Sequence, residues 1–218
     1  MIQKNKLIGV IRPDQLIKGV KENISEDIMK MFGAGGDEKT FSPVLYTLKK
    51  RLPWLHVNLL TAFMAASVVA VFEDVIAKIT ILAVFLPIVA GQGGNAGAQS
   101  LAVVMRGLVM REIPPHKVKH LIAKETLVGA VNGVVIGVVT GMVSWLWKGN
   151  PYLGVVIGLG MLVNLTAAGL SGALIPVAMK ALRLDPAQCS SIILTTITDI
   201  VGFFAFLGFA AIFQQFLI

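Results

Sequence analysis

Cysteine is almost absent from this chain: Cys189 is the only one in 218 residues. That excludes an intrachain disulfide framework. Charge is nearly as scarce, since Asp, Glu, Lys and Arg together make up 14% of residues. Residues 1–50 are polar and hold no apolar core of the kind that precedes a signal-peptidase site, so no secretory signal is read there. What fills the space is apolar: 56% hydrophobic residues and a mean hydropathy of +0.79. Soluble globular domains do not reach such values.

The charges that exist are segregated. Five stretches, Leu52–Phe72, Ile79–Met105, Thr126–Trp147, Gly149–Met179 and Pro186–Ile218, together hold one charged side chain, Asp199. Each reaches the roughly 20 residues that a helix needs to cross a bilayer core. The expected fold is therefore an all-α integral membrane protein with five transmembrane helices. A β-barrel is excluded, because its strands would alternate instead of running apolar. A soluble enzyme is excluded too. The organisation expected is a cytoplasmic segment, residues 1–50, followed by a five-span domain, residues 51–218.

Lys and Arg alternate between loops. Ten precede Leu52, five lie between Arg106 and Lys124, and Lys180 and Arg183 follow the fourth stretch. The intervening loops hold only Lys78 and Lys148. By the positive-inside rule the N-terminus faces the cytoplasm and the C-terminus the exterior, in a plasma membrane. The net charge of +7 then belongs to loops lying against an anionic leaflet, and nucleic acid is not needed as a partner.

In the head, Glu22–Phe32 has helical spacing and Gly33-Ala34-Gly35-Gly36 ends it. Leu45–Leu48 reads as a second short helix, leading into a basic and aromatic anchor at Lys49-Lys50-Arg51 and Trp54. The run Gly33–Thr40 lacks the Gly before Lys that a phosphate loop needs, Glu38 standing there instead, and is read as a turn.

Small residues set the packing. Gly129, Gly133, Gly137 and Gly141 repeat every four residues and form a ridge on which another helix can close. Gly154, Gly158, Ala168 and Gly172 repeat the device in the fourth stretch. Asn132 and Asn164 are expected to hydrogen-bond between helices.

The second stretch differs. Pro87 and the glycines at 91, 93, 94 and 97 predict a kinked or locally unwound helix. Gln92, Asn95 and Gln99 share a face there, and with backbone carbonyls freed near Gly93 and Gly94 they form a lining suited to a hydrated cation. A methyl at Gly94 is accordingly expected to cost more flux than one at Gly154. In the fifth stretch Ser191, Thr195, Asp199 and Gly202 fall on one stripe, with Thr196 beside it. Asp199 lies about 15 Å along that helix, near the bilayer midplane, where a charge is expensive enough to imply function. A lone carboxylate facing a polar, glycine-rich segment points to cation passage. Mg²⁺ suits it, because that ion keeps its waters and is typically held by one or two carboxylates. Two copies of Asp199 on a symmetry axis would supply two. His116 and His120 are read as part of a solvated basic face.

At these residues the sequence resembles the MgtE family of magnesium channels. The resemblance runs from about Glu26 to Ile218 and is carried by Lys50–Leu55, Phe72-Glu73-Asp74, Leu86-Pro87 with Gly93–Gly97 and Gln99-Ser100, and Asp185-Pro186 with Leu194–Thr196 and Thr198–Phe203. It implies a homodimer whose axial pore is lined by spans two and five. Asp199 would be the ion-selecting residue, Asn95 a pore-lining one, and the Thr195 carbonyl part of the site, with Mg²⁺ as the transported ion. Gln92, Gly93, Gly94, Gln99, Ser191, Thr196 and Gly202 are the further expected pore-lining residues. Members typically carry an acidic domain and a CBS pair before the spans. The 50 residues here hold neither, although Glu26–Arg51 resembles the family's plug-like linker helix without the sensor it connects to; this leads to an expectation of weak closure by cytoplasmic Mg²⁺ and leaves open a separate regulatory subunit. The competing functions are a Na⁺- or H⁺-coupled carrier, and, from another class, an intramembrane aspartyl hydrolase. The hydrolase would need a second carboxylate.

Overall fold

The computed structural model describes residues 2–3, 6–7, 25–188 and 190–217. Cys189, Ile218 and most basic residues of the first 24 lie outside them. Within the described residues the protein is helical, apart from a two-residue antiparallel pairing of Ile2–Gln3 with Lys6–Leu7. Helix α1 is described over residues 25–31. It is followed by α2 (Val44–Val71), α3 (Glu73–Lys78), α4 (Ile81–Val109), α5 (Val118–Lys148), α6 (Pro151–Ala181), α7 (Ser190–Ile212) and α8 (Gln214–Leu217). Helices α2, α4, α5, α6 and α7 are each long and apolar enough to span a membrane. The all-α, five-span architecture expected from charge segregation is the one observed.

The helices run alternately up and down. The Lys30 and Ser191 contacts and the groove beside Met105 and Arg106 mark one end. At the other end Asn150 donates 3.1 Å to the carbonyl of Phe216, and Tyr152 stacks on the Phe216 ring. Helix α6 is the centre of the bundle and packs against α5, α4 and α7. Its buried side includes Val156, Ile157, Met161 and Leu165, which meet Leu82, Phe85 and Val89 of α4 and Phe206 and Leu207 of α7. Helix α2 packs on α7 and leaves most of its apolar length exposed.

The glycine ridge of α5 meets α6 main chain to main chain. A methyl at Gly137 would lie 2.8 Å from the carbonyl oxygen of Gly158, and one at Gly141 would lie 2.7 Å from that of Gly154. Gly129 faces Gly169 in the same way. In lipid there is no hydrophobic drive between helices, so this close approach is what dispersion and backbone contact require.

Three local differences from the sequence reading have physical reasons. Leu45–Leu48 is not a separate short helix: α2 runs unbroken from Val44 through Pro53. Lys50 and Arg51, which looked like a polar boundary, pair with acids of the preceding loop and stay helical. The second span is helical from Ile81 to Val109 with Pro87 inside it, so no segment is unwound. Its glycines serve close packing instead. Gly172 of α6 closes on the Gly97 carbonyl, and a methyl at Gly97 would meet Leu194 of α7 at 2.7 Å. Finally, α5 begins well before Thr126, at Val118, which carries Glu125 into the bundle, where it is buried.

Candidate cation site

Asp199 stands nine residues into α7, so about 14 Å from its start at 1.5 Å per residue. It lines a cleft of about 950 Å³ between α4, α7 and α2. The α4 wall consists of Ala90, Gly91, Gly94, Asn95 and Ala98, and the α7 wall of Ser191, Ile192, Leu194, Thr195 and Asp199. The spacing of 191, 195 and 199 therefore does form one stripe along one wall. Thr195 donates its hydroxyl 3.1 Å to the Ile192 carbonyl, which is ordinary within-helix bonding. Gly94 has open space in front of it, the nearest atom being the Thr195 methyl at 3.8 Å.

Not every expected lining residue reaches this cleft. Asp199, Asn95, Thr195, Gly94 and Ser191 are brought together; Gln92, Gly93, Gln99, Thr196 and Gly202 are not among the lining residues. Gly93 and Gly202 are buried against Asn164; Gly202 stays on the Ser191–Thr195–Asp199 stripe but lies beyond the cleft, where that amide covers it. Thr196 turns aside and bonds to Ile192 within α7. Gln99 lines a second, smaller cavity of about 220 Å³ with Ser100, Lys124, Glu125 and Asn132. Asn95 sits at the edge of the α4 face, and the two glutamines fall on its far side. Asn164 bonds across helices to the Val89 carbonyl at 2.7 Å, as expected. Asn132 instead faces the smaller cavity.

The head closes one end of the cleft. Phe32, Gly33 and Ala34 line it, as do Arg51, Trp54, Leu55 and Asn58 of α2. Gly33 has φ +74°, a conformation that side chains rarely adopt, and a methyl there would lie 3.1 Å from the Trp54 Cβ. The Ser191 hydroxyl donates to the Met31 carbonyl, and Lys30 lies 3.4 Å from Asp185 and 2.8 Å from Glu26. Burial lifts the Asp27 carboxyl above its ordinary range, and the Asp185 carboxylate adds to the rise. The loop beyond is clasped to α2. Tyr46 donates to Asp37, Lys50 lies 3.1 Å from Asp37, and Arg51 forks onto Glu38, with Nε at 3.1 Å. Those bonds hold Asp37 and Glu38 below the usual carboxylate range. Both acids are committed to the clasp, so the glycine-rich run is a structured turn and not a phosphate cradle. Composition and spacing mark Arg51 and Trp54 only as an interfacial anchor; the signal for the head lies in the resemblance of Glu26–Arg51 to the family's plug-like linker helix.

Among the described residues no three His, Cys, Asp or Glu side chains gather closely enough to share a metal. Among the described lining residues Asp199 is the only carboxylate, with Asn95, Thr195 and Ser191 on the same walls and Arg51 on the α2 side.

A scan against family models matches residues 86–209 to the MgtE family, described as a divalent cation transporter. The chain belongs to the MgtE family. The matched segment includes both walls of the cleft. Among curated relatives, the magnesium transporter MgtE of Bacillus subtilis is 35% identical over 212 residues, which cover 97% of this chain and 47% of that protein. The magnesium transporter MgtE of Enterococcus faecalis is 35% identical with the same coverage. That of Thermus thermophilus is 29% identical over 217 residues, covering 98% of this chain and 48% of that protein. The chain spans about half the length of the curated relatives it matches. MgtE membership agrees with the five helices long and apolar enough to span a membrane.

Proposed function

We propose that this chain forms a divalent-cation pathway, with Mg²⁺ its chief cargo, running down the electrochemical gradient along the axis of a homodimer. The observation that carries the reading is the position of Asp199: a carboxylate deep in a span, without a basic partner among the described residues, facing a cleft walled by α4 and α7. A carboxylate so placed is expensive unless it serves an ion. Asn95, Thr195 and Ser191 supply neutral oxygens beside it. A hydrated Mg²⁺ would be attracted by the charge and steadied through its waters by these oxygens, and it would move on because no chelating cluster traps it.

A second copy facing the first across the cleft would double the carboxylate and shut lipid out of the polar walls. The long exposed face of α2 leaves room for such an arrangement. In this reading residues 1–50 form the cytoplasmic head and residues 51–218 the transport domain. The N-terminus lies inside a plasma membrane and the C-terminus outside. The inside-negative potential then drives entry by about 2.3 kcal/mol per charge per 100 mV, roughly doubled for a divalent ion.

The test is Mg²⁺ flux into liposomes containing purified protein. Asp199→Asn keeps the shape and removes the charge, so flux should fall to near background while the assembly persists on size exclusion. Undiminished transport by Asp199→Asn would sink the assignment.

A further inference from the structure

Asn164 of α6 is fully buried and lies outside the cleft. Its Nδ2 donates 2.7 Å to the carbonyl of Val89 on α4. Its Oδ1 is buried without a hydrogen-bond partner among the described residues. The amide is seated between two glycines on two other helices. A methyl added at Gly93 of α4 would overlap it, and one added at Gly202 of α7 would come within 2.6 Å of Nδ2. One side chain thus fills the seam between the two helices that wall the cleft. Gly94 and Asn95 follow Gly93 directly, and Gly202 lies three residues beyond Asp199.

Packing alone does not explain an amide here. An apolar side chain would leave no oxygen unpaired, and an unpaired oxygen in an apolar interior is costly. What the amide adds is direction. Its bond to Val89, one turn before Gly93, fixes the rotation and height of α4 against α6. Its flat faces fit a slot that only two glycines leave open.

We infer that Asn164 is a positioning residue of the cation pathway: it sets the spacing of α4 against α7 behind Asp199, and through it which ion fits. The inference rests on the transport reading above. Mg²⁺ is small, demands near-octahedral geometry and sheds water reluctantly; Ca²⁺ accepts longer and more variable contacts. A site whose walls are held at fixed spacing discriminates between them, and one whose walls can relax discriminates less.

The experiment measures Mg²⁺ and Ca²⁺ flux separately in liposomes containing the purified full chain. Asn164→Ala removes the bond and the wedge. Its Mg²⁺-to-Ca²⁺ flux ratio should fall severalfold, because a displacement of about 1 Å at a positioned site can cost on the order of a hundredfold. The cavity lowers its melting temperature, but the ion ratio is a readout that stability alone does not move. Gly93→Ala should lose most flux, and adding Asn164→Ala should restore part of it, since the new methyl then enters vacated space. An unchanged ion ratio in Asn164→Ala would overturn the inference while leaving the transport reading intact. If Asn164→Ala does not fold, the double variant decides: no recovery over Gly93→Ala alone overturns the inference equally. Absence of wild-type flux for both ions would overturn the transport reading and this inference with it.

Discussion

The hydroxyl of Ser100 on α4 donates a 2.9 Å hydrogen bond to the buried carboxylate of Glu125 on α5. The other carboxylate oxygen lies 2.8 Å from Lys124, whose head is about half exposed. Glu125 is therefore an internal strut between two spans and not a solvated loop acid. Replacing it with Leu leaves the Ser100 hydroxyl only the more distant Gly169 carbonyl, at 3.4 Å, and takes the Lys124 ammonium's partner away. We expect Glu125→Leu to destabilise the bundle by about 1–3 kcal/mol and Glu125→Gln by clearly less, because an amide oxygen can still accept from Ser100. Thermal melts of detergent-purified protein check this, and equal melts for the two variants would contradict it.

Glycine substitutions should rank by what stands in front of each Cβ. Gly94 faces the cleft with open space, whereas Gly93 faces the Asn164 amide. Gly154 faces the Gly141 main chain at 2.5 Å, where nothing can give way. The sequence-based ranking, in which Gly94→Ala is worse than Gly154→Ala, concerns flux; for folding the order expected from these distances is the opposite. Gly93→Ala and Gly154→Ala should lower the folded yield and melting temperature, and Gly94→Ala should leave both near wild type. Overpacking of this kind typically costs about 1–3 kcal/mol. Melting temperatures of the three single variants decide it.

Acid should release the head clasp late. Asp37 and Glu38 are held below the ordinary carboxylate range, chiefly by Tyr46 and Arg51 respectively. Groups with lowered folded values stabilise the clasp above their unfolded pKa and lose that contribution as pH falls through the folded value. The clasp should thus hold from about pH 7 to pH 5 and loosen only below about 4. Asp27 works with the opposite sign: its raised value means that its charged form is disfavoured in the docked head, so mild acid does not undock it. A solvatochromic label on Lys39→Cys, with Cys189 replaced by Ser, reads the release. A transition centred above about pH 5 would contradict the assignment.

Orientation is testable on the same cysteine-free background. Lys148→Cys, at the exposed turn between α5 and α6, should react with an impermeant thiol reagent in intact cells. Thr40→Cys, in the exposed head loop, should react only after permeabilisation. The reverse pattern would invert the proposed topology.

The spans were legible because lipid imposes one rule on every residue: long runs with almost no charge cannot be arranged otherwise. Asp199 was legible for the same reason, as the one residue that breaks the rule. The ends of helices were not. A basic run such as Lys49-Lys50-Arg51 looks like a boundary in one dimension, yet Asp37 and Glu38 neutralise it from a loop that the sequence cannot fold back. Pro87 and its neighbouring glycines suggested unwinding because their local propensity is poor. The structure keeps the helix, since Asn164, Leu194 and Gly172 need those missing side chains. The α4 face was read with the right period but the wrong limits. Whether Gln92 and Gln99 share the cleft with Asn95 depends on which helices flank α4, and spacing alone carries no information about neighbours.

The main-chain seam between α5 and α6 has a mechanical consequence. Helices in contact through carbonyls at Gly137–Gly158 and Gly141–Gly154 cannot slide a fraction of a turn without collision. The seam therefore couples α5 and α6 as one unit, and the Asn164–Val89 hydrogen bond ties α4 to it. Helix α2 has no such seam and rests mainly on α7 among the spans described. Any give is expected at α2 and the head strapped to it, on the side from which the cleft is capped.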